Sequence, residues 1–97
     1  MAVIDEAQIR YYEGHITLEP GQAEKAKAAA ESYGWHVSEI AGDEVLGDRR
    51  WVYCSRSHVD LMEIRDSMAS LSRRLQNDGL EVRRCKIEAV IYDRRLQ

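Results

Sequence analysis

The sequence predicts an α+β fold in which a four-stranded antiparallel sheet carries two helices on one face. Three observations predict it. Apolar and polar residues alternate with a period of two in the segments 9–18, 35–40, 51–55 and 80–92, as half-buried strands require. Leu61, Ile64, Met68, Leu71 and Leu75 recur at steps of three and four, the spacing of a core-facing helical stripe. Between the first two strand segments lies an alanine-rich stretch, AEKAKAAAESY, with strong intrinsic preference for helix.

Taken in order, Ile9 to Leu18 forms the first strand, and Pro20 is expected in the first turn of a helix over residues 21–33, where its missing N–H is harmless. Ala23, Ala26, Ala30 and Tyr33 give that helix a smooth face that can pack closely on a sheet, and Gly34 stops it. Trp35 to Ile40 is the second strand, AGDEVLGDRR a hairpin loop, and Trp51 to Ser55 the third strand. Ser57, followed three residues later by Asp60, has the spacing of a capping box and opens a helix over 58–77 that Asn77-Asp78-Gly79 closes. Leu80 to Tyr92 is the fourth strand; residues 1–8 and 93–97 are expected to be loose. The order β-α-β-β-α-β with right-handed crossovers leads to a ferredoxin-like sandwich, strand order 4-1-3-2.

At 97 residues the chain has room for a single core, so residues 1–97 are read as one domain. With 44% hydrophobic and 32% charged residues it has the composition of an ordinary folded protein. No apolar run approaches the ~20 residues that span a bilayer, and MAVIDEAQIR lacks the basic start and apolar stretch of a signal peptide, so a cytoplasmic setting is expected. A formal charge of −3 provides no global field to gather nucleic acid. The arginine doublets at 49–50, 73–74, 83–84 and 94–95 are interspersed with acids and read as solvated surface. Cys54 and Cys85 lie in apolar strand patterns and are expected to be buried free thiols. The histidines and cysteines show no paired metal-ligand spacing, and no metal or cofactor is expected.

Strand parity then defines a candidate site. In the stretch EGHITLEP, Ile16 and Leu18 share one face while Tyr11, Glu13, His15 and Thr17 share the other. In the fourth strand Cys85, Ile87, Ala89 and Ile91 are the apolar set, leaving Arg84, Lys86 and Glu88 opposite; in the third, Val52 and Cys54 point to the core while Trp51, Tyr53 and Ser55 alternate with them. The face without helices should therefore carry His15, Thr17, Tyr53, Arg84, Lys86 and Glu88, together with Trp51. Cations would supply charge to an anionic, nucleotide-like ligand, and His15 and Thr17 directional hydrogen bonds.

His15-Ile16-Thr17 resembles half of the signature of the 2H phosphoesterases, whose two H-x-T motifs supply a general acid and a general base to a phosphodiester; His36-Val37-Ser38 is a second, weaker match, expected far from the first at the sheet edge. That resemblance implies His15 and Thr17 as catalytic residues, in a chain of about half the usual length that would have to act as a dimer. Glu13 to Pro20 and Lys86 to Glu88 also resemble segments of small phage and bacterial proteins, which implies a phage or mobile-element setting and no particular activity.

Two other readings use the same face. Tyr11, Trp51 and Tyr53 could stack bases in the manner of an RNA-recognition module, against which stand the acidic charge and the absence of phenylalanine. The second, which the pattern favours over every other reading, is that the face meets a second copy or a larger protein, with pairs such as Lys86 and Glu13 as ordinary sheet stabilisers. The expectation is a binding module without chemistry, because one H-x-T motif offers one proton carrier where phosphodiester cleavage uses two.

Overall fold

A computed structural model describes residues 8–41 and 50–91. The elements run β1 (Tyr11–Leu18), α1 (Ala23–Ser32), β2 (His36–Ala41), β3 (Arg50–His58), α2 (Leu61–Asn77) and β4 (Val82–Val90). The strands form one antiparallel sheet in the order β2-β3-β1-β4, which is the ferredoxin-like arrangement. The hairpin loop and the loose termini expected from the sequence lie outside the described residues, apart from their innermost positions. No described helix is long and apolar enough to cross a membrane.

Both helices end alike, for one backbone reason. Gly34 and Gly79 adopt φ of 80° and 84°, conformations that cost a glycine nothing. Each chain reversal returns two N–H groups to the helix. Trp35 N donates to the Ala30 carbonyl at 2.8 Å and Gly34 N to Glu31 at 3.0 Å; Leu80 N donates to Leu75 and Gly79 N to Gln76, both at 3.0 Å. In each motif the apolar residue after the glycine drops into the core, where Trp35 and Leu80 are buried.

The core lies between the sheet and the helices. It joins Ile16, Leu18, Val52 and Cys54 from the central strands to Ala26, Ala29 and Ala30 of α1 and Ile64, Met68, Leu71 and Leu75 of α2. Trp35 is its largest buried side chain. The indole Nε1 donates to Ser67 Oγ at 2.9 Å, and the ring lies where Gly14 has no side chain: a Cβ there would come within 2.7 Å of it. Gly14 is thus the recess that lets a tryptophan lie against a central strand.

Several local expectations are corrected. Pro20 is not in the first helical turn; with Gly21 it forms a turn ahead of α1, which begins at Ala23. Ser57 does not cap α2. The branched and aromatic run of β3 stays extended through His58, and Asp60 caps instead, its carboxylate accepting from Met62 N at 3.0 Å. Leu61, the first residue of α2, falls outside the buried stripe at 42% exposure, and the stripe begins at Ile64. Cys85 faces the helices, as its parity requires, but is exposed because β4 is an edge strand that α2 covers only partly.

Candidate functional site

The register converts the sequence pattern into rows across the open face. His36, Ser55, His15 and Lys86 stand abreast on β2, β3, β1 and β4, and Ser38, Tyr53, Thr17 and Arg84 form the next row. The β1–β4 register is regular from Tyr11 to Thr17 and shifts just beyond these rows: Thr17 pairs with Arg84 but Leu18 with Val82, so Arg83 is the extra residue of a bulge. Arg83 turns to ion pairs with Glu19 and Glu81, while Arg84 and Lys86 stay on the open face.

These rows enclose a depression of about 310 Å³ lined by His15, Thr17, Ser38, Ile40, Tyr53, Ser55, Arg84, Lys86 and Glu88. The six candidate ligand residues, His15, Thr17, Tyr53, Arg84, Lys86 and Glu88, line it together, whereas Tyr11, Glu13 and Trp51, placed on the same face by parity, do not. Ser38 and Ile40 were missed as lining residues. The alternation of β2 about Val37 carries the signal, but it acquires meaning only once β2 is known to lie beside β3. A larger hollow of about 630 Å³ near the start of β1 is bounded by Gln8, Ile9, Arg10 and Ile91. Among the described residues it gathers a single cation and no hydroxyl or imidazole, so what they offer is chemically poorer.

The charges divide the depression into two ends. At one, the Glu88 carboxylate receives Lys86 Nζ at 3.2 Å and lies 3.5 Å from His15 Nε2, with Glu13 3.7 Å from the same nitrogen. The hydrogen bond from Lys86, then its charge, holds the Glu88 carboxyl below the usual carboxylate range. At the other end Arg84 makes no ion pair among the described residues, and beside it stand the hydroxyls of Thr17, Tyr53 and Ser38. Thr17 is the only buried polar residue among those described. A guanidinium next to a row of hydroxyls is a seat for a phosphate-sized anion.

Two sequence expectations change here. Trp51 lies on this face by register but is only 6% exposed, so it offers no open stacking surface; of Tyr11, Trp51 and Tyr53, only Tyr53 lines the depression. The His36-Val37-Ser38 motif is on the edge strand as expected, yet it stands in the same rows as His15 and Thr17 with only β3 between. Strand spacing puts the two motifs about 10 Å apart. Among the described residues, no group of three or more His, Cys, Asp or Glu side chains could hold a metal ion.

No family model matches the chain, and no curated protein matches it. Geometry alone bears on what the depression does.

Proposed function

We propose that the open face is the binding site of a small, non-enzymatic module for an anionic, nucleotide-like ligand. Arg84 receives the phosphate with the neighbouring hydroxyl of Thr17, Tyr53 offers a ring face and Ser38 a hydroxyl to the rest of the ligand, and His15 with Lys86 fixes the ligand's orientation. One observation carries this: Arg84, without an ion pair among the described residues, stands in one row with Thr17, Tyr53 and Ser38 inside a 310 Å³ depression. That volume is at the small end of the range for ligand pockets. The near-burial of Trp51 weighs against the flat aromatic interface that a protein partner on this face would use. The resemblance of EGHITLEP favours a phage or mobile-element protein.

The test is a panel of nucleoside monophosphates and 2′,3′-cyclic phosphates read by thermal shift and by product formation. A shift that Arg84→Ala removes, without product, supports the binding module. No shift with any member overturns the anionic ligand and leaves a protein partner as the occupant of the face.

The alignment of His15 and Thr17 with His36 and Ser38 favours a second reading, phosphodiester cleavage with the two histidines as acid and base. In that case His15→Ala lowers turnover by roughly 10²–10⁴, as loss of a general acid or base does. Turnover that survives this substitution sinks the catalytic role of His15.

A further inference from the structure

The two edges of the sheet differ. β2 is six residues long, and Arg50 Nη2 donates to the Glu39 carbonyl along it. β4 is nine residues long and, among the described residues, pairs on one side only, with β1. Its helix-side strip is also left uncovered: Cys85 and Ala89 are exposed, Ile91 is 40% exposed, and Ile87 is only partly buried against the core. A long extended edge of this kind, with an apolar strip alongside, is a template for another strand.

Charge decides what fits it. Open-face residues Arg84, Lys86 and Glu88 must lie opposite open-face residues of an added antiparallel strand if both sheets are to keep their helices on one side. Suppose the added strand is β4 of a second copy. Centring the pair on Cys85 sets Arg84 against Lys86, centring it on Lys86 matches Arg84 with Glu88 but sets that lysine against itself, and centring it on Glu88 sets the glutamate against itself. Centring it on Ile87 sets Lys86 against Glu88 of the second copy, and Glu88 against Lys86, with no like charges opposite. On the helix side the same register covers Cys85 with Ala89 and packs Ile87 on Ile87. It satisfies both faces at once.

We infer that the chain forms a two-fold dimer through β4, antiparallel and centred on Ile87, making one continuous sheet with all helices on the same side. The dimer does not depend on the ligand proposed above. It does bring Glu88 of the second copy to the rim of the depression beside Lys86. By itself Lys86 would guard the edge against pairing; in this register its charge is matched.

Sedimentation equilibrium with charge swaps tests it. Lys86→Glu and Glu88→Lys each turn two symmetric attractive pairs into repulsive ones and should raise the dimer dissociation constant by about tenfold or more. The double swap, Lys86→Glu with Glu88→Lys, should recover most of the loss. The register is read independently by Ala89→Cys, which should give an oxidised dimer linking Cys85 of each copy to the introduced thiol of the other, since directly opposed strand positions lie within disulfide reach. A wild-type chain that stays monomeric at sub-millimolar concentration overturns the dimer. So does a double swap no tighter than the single ones, or a Cys85–Cys85 link.

Discussion

β1 serves two faces that obey different rules. Toward the helices it presents Gly14, Ile16 and Leu18, all buried, where volume decides everything and a single methyl at Gly14 would collide with Trp35. Toward solvent it presents Glu13, His15 and Thr17, where Glu13 and His15 keep 39% and 24% of their side-chain surface and charge and hydrogen-bonding capacity decide. The two sets alternate along one rigid strand. Shape on one face therefore holds chemistry in register on the other, and the faces should fail in different ways.

The largest effects belong to the packed face. Trp35→Ala should cost about 3–5 kcal/mol and Leu71→Ala about 2–5 kcal/mol in denaturant unfolding, because each leaves a cavity in a closed core. Gly14→Ala should follow at about 1–3 kcal/mol, from overpacking. Unchanged stability in Leu71→Ala would show that the α2 stripe does not hold the sheet.

Thiol chemistry sharpens the same contrast within one row, since Cys54 and Cys85 both pair with Ile16 from opposite sides. Burial, then the neighbouring Cys85, pushes the Cys54 thiol up to about 11, whereas Cys85 is exposed. A thiol reagent should label Cys85 in the folded monomer, at protein concentrations too low for dimerisation, and Cys54 only on unfolding; rapid labelling of both would break the distinction. Because the folded state favours protonated Cys54, its contribution to stability is complete below the usual thiol range and is lost as pH rises through about 11. Cys54→Ala should lose that part of the alkaline slope.

The open face should give the smallest changes in stability. His15→Ala and Arg84→Ala should stay within about 0.5 kcal/mol of wild type, with Arg84→Ala removing the ligand-induced thermal shift. An Arg84→Ala protein that unfolds instead would mean the face is structural. Smallest of all is Glu88: its lowered carboxyl contributes stability above the usual carboxylate range and loses it as pH falls through its depressed value. Glu88→Gln should flatten that shallow acid slope, measured at low salt.

Alternation and helical stripes carried the strand order and the composition of both faces, because those patterns encode which side of an element is wet. They carried less where local and distant forces compete. Ser57 reads as a cap until the length of β3 is known, and Asp60 then takes the role. Cys85 reads as buried because periodicity fixes the direction of a side chain but not whether a helix reaches far enough to cover it. Trp51 reads as an exposed aromatic for the same reason, with the opposite outcome. The alignment of His36 and Ser38 with His15 and Thr17 depends on two strand pairings at once, which no single segment contains.

Trp35 and Trp51, both nearly buried, stand on opposite sides of the sheet, and they are the chain's two indoles. Trp35 touches Gly14 and bonds Ser67 in the core; Trp51 pairs with Ile40 and lies two residues from Tyr53, both of which line the depression. Intrinsic fluorescence therefore has two channels with separate meanings. Emission from Trp35 reports whether the sandwich is intact, and emission from Trp51 reports what happens on the other side of the sheet. In a Trp35→Phe protein that remains folded, a ligand seated against Tyr53 would change the one remaining signal, so occupancy could be followed without a label.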